Sequence, residues 1–283
     1  MTELCIEDLA FAYGGKRKVI EHIDLHIDKP GLYCILGPNG VGKSTLVKCI
    51  NKILVPTEGR VTINGIDVRD MKQKEIAKLV GYVPTHSEDA FSMPVTDAIL
   101  VGRYSHGHRG TRDEDLQAVY RVMKLLHIRS LADRGFKELS AGQHQKVSLA
   151  RGLVQETPVL LLDEPTSNLD IKFQIYVAEL LRGLAESEGT IILMISHDIN
   201  IAAKYAHNII LMSKPGCIYA MGAPEETVTR ENMKEVFDID CEVVDIGGYP
   251  HVLPGLSVMG EDEPCCSEEK VPLRVRIGYI LGR

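Results

Sequence analysis

The chain has 283 residues, 45% of them hydrophobic and 25% charged, a composition that excludes wholesale disorder and allows one large core or two modest ones. Its formal net charge of -7 argues against a surface built to grip phosphate backbones, so nucleic acid is not an expected partner. Seven cysteines without a CxxC pair suggest neither a disulfide framework nor a zinc ribbon, and no apolar run reaches the roughly 18 residues of a membrane span, so a chain without leader or span is expected.

In chain order, Leu4 to Leu9 and the segments 20–27 and 60–63 read as short strands divided by turn residues, a β-rich start. Gly31 to Leu36 is an apolar strand that runs straight into a glycine loop, and Lys43 to Ile53 follows as a helix with Leu46, Val47 and Ile50 on one face. From about Asp97 to Gly152 the pattern is helical and amphipathic. Val159 to Leu162 and Thr190 to Ile195 are short apolar runs of the kind buried in parallel sheets. These segments predict an α/β core with a helical insertion over about residues 86–155. Beyond about Asp240 come Gly247, Gly248, Pro250, Pro254, Gly255 and the acidic Glu261-Asp262-Glu263; residues 241–283 read as a tail of no assigned role, with only Leu273 to Ile280 resembling ordered structure.

The glycine loop is Gly37-Pro38-Asn39-Gly40-Val41-Gly42-Lys43-Ser44-Thr45, a GxxxxGKS pattern between a strand and a helix. Small residues let successive N–H groups turn toward phosphate oxygens, and the helix N-terminus adds partial positive charge. Lys43 can neutralise β and γ phosphates and Ser44 can offer its hydroxyl to Mg²⁺. The run Val159 to Glu164 is a buried strand ending in two carboxylates. Alone, such a pair reads as a helix cap; after a phosphate cradle, Asp163 fits the metal and Glu164 the attacking water, as general base.

Ser140 is a natural N-cap for a helix from about His144 to Val154, which would account for a serine but not for Ala141, Gly142 and Gln143 beside it. Leu139 to Gln143, lying some 20 residues before the acidic strand, resembles the signature of the ATP-binding cassette (ABC) ATPases; the resemblance covers about residues 2–240. It implies a P-loop NTPase (RecA-like) core with an N-terminal antiparallel β subdomain and an inserted α-helical subdomain. It also implies ATP and Mg²⁺ as cofactors, and two chains that sandwich two ATP molecules. Under it, Tyr13 matches the aromatic that stacks on adenine, Ser140 to Gln143 the segment that completes the opposite subunit's γ-phosphate site, Asp170 the acidic member of the loop linking the sites, and His197 the switch histidine on the γ-phosphate. Each has a plainer reading: a core or turn tyrosine, a cap, a solvated histidine.

Two departures from the family pattern stand out. Ala141 replaces the first of two glycines, a small-for-small change of little expected effect. Thr85, in Gly81-Tyr82-Val83-Pro84-Thr85, stands where the family places a glutamine that touches Mg²⁺ or its water; its reach is shorter and it lacks the amide donor, so hydrolysis with altered coupling is expected. Pro94 to His106, Ser167 to Ile171 and the stretch from Gly222 to Phe237 resemble the ATPases of iron-chelate (siderophore, haem) and cobalamin importers. The implied partners are transmembrane permease subunits and, indirectly, an extracytoplasmic substrate-binding protein, with this chain at the cytoplasmic face of the membrane. A molybdate or tungstate importer, a soluble ABC ATPase and a P-loop kinase or GTPase are the alternatives. The last leaves Ser140 to Gln143 and His197 unexplained. His106-Gly107-His108-Arg109 reads as solvated surface because the other ligands of a metal site are not evident, and Cys265-Cys266 receives no role.

Overall fold

A computed structural model describes residues 2–15, 18–85, 93–106 and 111–255. Strands β1 (Leu4–Ala12) and β2 (Lys18–Ile27) come first, followed by β3 (Gly31–Leu36), helix α1 (Lys43–Ile50), β4 (Glu58–Ile63) and β5 (Ile66–Asp67). Strands β2, β1, β4 and β5 pair in that order as a four-stranded antiparallel sheet. The chain then forms α2 (Gln73–Leu79), β6 (Val80–Val83), α3 (Val95–Leu100), α4 (Arg112–Leu125), α5 (Ala141–Leu153), β7 (Val159–Asp163), α6 (Ile171–Glu188), β8 (Ile191–Ile195), α7 (Ile199–Tyr205) and β9 (Asn208–Ser213). It closes with β10 (Cys217–Gly222), α8 (Pro224–Thr227), α9 (Arg230–Phe237), β11 (Cys241–Asp245) and β12 (Pro250–Pro254).

The second sheet has the order β10-β9-β3-β8-β7-β6, parallel throughout except for β10. Strands β3, β7 and β8 are buried on both faces, which is why they read as continuous apolar runs. Alternation still sorts their side chains. Leu32, Cys34, Leu36, Leu160, Leu162, Ile192 and Met194 face the core shared with α3 to α7. Tyr33, Ile35, Val159, Leu161, Ile191, Leu193 and Ile195 face α1 and the antiparallel sheet. Helices α3, α4 and α5 leave between β6 and β7, two strands that are direct neighbours (Val80 beside Val159), so the helical segment is an insertion that leaves the sheet unbroken.

Two boundaries differ from the sequence reading. Helix α1 stops at Ile50, three residues before the expected end at Ile53, because Lys52 adopts a left-handed φ of 53° that turns the chain. Residues 241–254 are not tail. They form the hairpin β11–β12, in which Val243 pairs with Val252 and the turn uses Gly247 and Gly248 at φ 68° and 85°, where glycine is at ease. Cys241 and Val252 are buried in the main core, and Asn200 of α7 grips the hairpin with both ends of its amide. Its Nδ2 donates to the Val252 carbonyl at 3.2 Å and its Oδ1 accepts from the Val252 N–H at 2.8 Å. The side chains of the 106–109 stretch, Cys265-Cys266 and the expected element at 273–280 lie outside the described residues.

Asn200→Ala removes both clasping bonds. The expected loss is about 1–3 kcal/mol, read as faster hydrogen exchange across residues 241–254 with α1 and β3 unchanged.

Candidate active site

The site forms at the carboxyl ends of the parallel strands, where loops leave β3, β7 and β8. Strand β3 ends at Leu36 and the glycine loop begins at once. At Gly37 (φ 155°) a Cβ would lie 2.3 Å from the Met212 carbonyl oxygen; at Gly42 (φ 105°), the N-cap of α1, it would lie 2.5 Å from the Ile20 side chain. Gly40 (φ 75°) has open space around it. The Lys43 side chain is buried and folds back over the loop, its ammonium donating to the carbonyls of Gly37 at 2.7 Å and Pro38 at 2.9 Å. Burial pulls the Lys43 pKa down, opposed by the negative charges of Glu164 and Asp163.

From α1, the Ser44 hydroxyl donates to Asp163 Oδ1 at 2.9 Å, across from the end of β7. Asp163 is buried, and burial raises its pKa; the Ser44 bond opposes this, Glu164 adds to it, and a bond from the Thr85 side chain opposes it again. Thr85 follows β6, the neighbour of β7, so its short hydroxyl meets Asp163 directly. Three hard oxygen donors thus converge, a set suited to a small divalent cation. Among the described residues no cluster of three or more His, Cys, Asp or Glu side chains could hold a metal alone. A cation here would complete its shell with phosphate and water.

Glu164 is the next residue, with a left-handed φ of 54°. Its carboxylate meets His197, Oε1 lying 2.6 Å from Nε2, and both side chains remain partly open to solvent. His197 follows β8, which lies between β3 and β7 in the sheet, so the histidine stands between the glycine loop and the acidic pair. A carboxylate paired this way can accept a proton from water, and the imidazole can steady it or reach a phosphate oxygen.

The remaining expected residues serve local structure in a single chain. Ser140 caps α5, accepting from the Gln143 N–H at 3.4 Å while the Gln143 side chain accepts from the Ser140 N–H at 3.0 Å. Ser140 and Ala141 are exposed, and a Cβ at Gly142 would sit 3.0 Å from the Asn168 carbonyl, so this glycine lets α5 approach the 166–170 loop. Asp170 caps α6 through the Phe173 N–H at 2.9 Å. Tyr13 is 51% exposed and braced edge-on against Phe11 at 4.8 Å; it lies on the β1–β2 turn, and Ile20 on β2 presses on Gly42. Three supporting polar residues escape the sequence reading: Gln145, Gln174 and Asn200. Gln145 donates to the Glu164 carbonyl at 3.0 Å, and Gln174 to the carbonyls of Thr166 at 3.2 Å and Leu169 at 3.0 Å. The available signal was their phase. Gln145 lies in register with Ser148, Leu149 and Gly152 on a buried stripe, where an amide needs a partner.

The family described as ABC transporter matches residues 20–167, more than half of the chain. The chain belongs to the ABC transporter family. As an ABC ATPase it binds and hydrolyses ATP, and its doubly covered parallel sheet is the P-loop NTPase core of that fold. An uncharacterized ABC transporter ATP-binding protein of Methanocaldococcus jannaschii is 40% identical over 89% of this chain and 97% of its own length. The ferric enterobactin transport ATP-binding protein of Escherichia coli is 36% identical over 88% of this chain and 92% of its own. A putative metal-chelate type ABC transporter in an inward-facing conformation superposes with a TM-score of 0.74 at 27% identity, over 89% of this chain and 97% of that one.

Two tests follow from the geometry of this ABC ATPase. Gly40→Ala should cost only about 1–2 kcal/mol for its left-handed backbone, whereas Gly42→Ala must also displace Ile20 and should lower the denaturation midpoint further. Because burial raises the Asp163 pKa, its ionisation costs stability, a cost that is absent below the ordinary carboxylate pKa, grows as pH rises toward the raised one and is complete above it. Asp163→Asn should therefore raise the melting temperature of the nucleotide-free chain at neutral pH, and the gain should shrink as pH falls into the carboxylate range.

Proposed function

We propose that this ATPase powers import of an iron chelate (siderophore or haem) or cobalamin across the cytoplasmic membrane. It would act from the cytoplasmic face, as two copies that sandwich two ATP molecules and dock on transmembrane permease subunits. An extracytoplasmic binding protein would deliver the cargo to those permeases. The observation that carries the catalytic part is the Glu164–His197 contact of 2.6 Å, one residue beyond an Asp163 already hydrogen-bonded to Ser44. The cargo rests on the ferric enterobactin relative and the metal-chelate type neighbour.

In this reading, residues Gly37 to Thr45 and Lys43 in particular hold the phosphates, and Tyr13 offers its exposed ring to the adenine. Ser44 and Asp163, with Thr85 behind Asp163, hold Mg²⁺, which supplies charge neutralisation at the phosphates. Glu164 takes the proton of the attacking water, and His197 orients Glu164 and contacts the γ-phosphate. Ser140 to Gln143 and Asp170 face the partner chain; the exposure of Ser140, Ala141 and Asp170 supports a surface awaiting one. ATP binding closes the pair and hydrolysis reopens it.

The permease-facing surface is assigned to the helical unit of about residues 86–155. Tyr104 there is 89% exposed beside the half-exposed Val101, while its neighbour Arg103 is anchored to Asp115 at 2.9 Å, Glu156 at 2.6 Å and the Val154 carbonyl at 3.0 Å. At Gly102 a Cβ would come within 2.5 Å of the Arg151 carbonyl oxygen, so this segment lies directly on α5. No helix of the described residues is long and apolar enough to cross a membrane, which leaves translocation to the permease partners.

Glu164→Gln should keep ATP binding and lower turnover by about 10²–10⁴, whereas Lys43→Ala should weaken nucleotide binding itself. Full turnover in Glu164→Gln would overturn the catalytic assignment. For the cargo, the chain purified with its permease and binding protein in liposomes should show ATPase stimulation by a ferric chelate or cobalamin. Stimulation by molybdate alone would replace this cargo with an oxyanion.

A further inference from the structure

Glu164 combines two conformational handicaps. It is a non-glycine residue at φ 54°, and it precedes Pro165, whose ring restricts the backbone of the residue before it. A backbone held there must be over-determined by its surroundings. The carbonyl of Glu164 shows what does so. It accepts from Gln145 Nε2 at 3.0 Å, from the Ser167 hydroxyl at 3.2 Å and from the Ser167 N–H at 3.4 Å. Two of these donors belong to the loop itself; only Gln145 reaches it from another element. Gln145 is 4% exposed, so its amide reaches this carbonyl from inside the protein, where an unmatched polar group is costly.

Where Gln145 stands matters as much as what it touches. It is the fifth residue of α5, the helix whose first turn carries Ala141, Gly142 and Gln143, with Ser140 as its cap. The same helix is held against α6 by Lys146, whose ammonium sits 3.6 Å from the centre of the Phe173 ring. A shift of the helix N-terminus therefore moves the donor that sets the Glu164 peptide. We propose that Gln145 is a positioning residue that fixes the Glu164 backbone, and thereby the aim of its carboxylate, linking the exposed start of α5 to the hydrolytic centre of the same chain. This rests on Glu164 being the base, as read above.

The test uses the purified full-length chain and two readouts: steady-state ATPase at saturating MgATP, and the dissociation constant of a fluorescent ATP analogue. Gln145→Met keeps the volume and removes the donor. It should lower kcat about tenfold while the dissociation constant stays within about twofold, a split that general loss of packing would not produce. Gln145→His places a ring N–H at about the reach of the lost amide and should recover most of that loss. A Gln145→Met protein with kcat within about twofold of the parent overturns the proposal, as does a His variant no better than Met. Should Gln145→Met not unfold cooperatively, Gln145→Asn decides: it keeps an amide but shortens its reach to the carbonyl now met at 3.0 Å, and a kcat within about twofold of the parent in that variant overturns the proposal. Glu164→Gln run alongside separates the two failures. If it is inactive while the Gln145 variants behave normally, only the link is lost; if it is active, the base assignment falls first.

Discussion

The register that places β8 between β3 and β7 is the constraint from which the site hangs. Ile35 lies beside Ile195, and Ile195 beside Asp163. Three strand ends therefore open at one height, so the loops that carry Gly37, His197 and Glu164 leave from one edge of the sheet, and His197 meets Glu164 without any long excursion of the chain. Hydrophobicity alone would not hold this register. Both faces of β7 and β8 are apolar, so a slip by one residue would exchange one buried face for another. What penalises the slip is the strand ends themselves, where the Ser44–Asp163 bond and the Glu164–His197 contact would both be lost.

That arrangement puts charge where burial opposes it. Lys43 and Asp163 are both shifted toward their neutral forms by desolvation. Lys43 offsets this by donating to two loop carbonyls, and Asp163 by accepting from Ser44 and Thr85. A site prepared in this way is under-neutralised by the protein alone, a condition that multiply charged phosphate and a divalent cation relieve in opposite senses. Thr85 fits this picture as a short buttress on Asp163. A longer amide could reach past that carboxylate; a threonine hydroxyl meets it.

Most of the fold was legible because its strands follow a simple rule. Doubly buried parallel strands read as unbroken apolar runs, and 31–36, 159–162 and 190–195 were placed within a residue of their observed limits. The glycine loop and the acidic pair were legible because chemistry dictates their spacing. The hairpin 241–254 was not, since its Gly247-Gly248 turn and flanking prolines resemble the punctuation of a tail, and its apolar residues are too few to announce a core contact. Gln145, Gln174 and Asn200 were missed for another reason. Their partners are backbone groups, near in sequence for Gln174 and distant for Gln145 and Asn200, and no residue type announces a backbone partner; the buried phase of Gln145 on α5 says that its amide needs one without saying which. Conversely, Ser140 and Asp170 carry ordinary caps in one chain, so an N-cap at either position conceals any further duty.

The clamp at Arg103 gives the exposed ring of Tyr104 a particular stiffness. A side chain on a loose loop absorbs a push; one mounted on a guanidinium bound to Asp115, Glu156 and the Val154 carbonyl passes it on. Gly102 rests on Arg151, and Arg151 and Gln145 belong to one uninterrupted helix. Six residues of helix span about 9 Å along a hydrogen-bonded rod, so a displacement delivered at residue 102 arrives at the Glu164 peptide with little slack. The outer surface at residue 102 and the Glu164 peptide are in that sense joined through one hydrogen-bonded rod, whose stiffness limits how far the two can move independently.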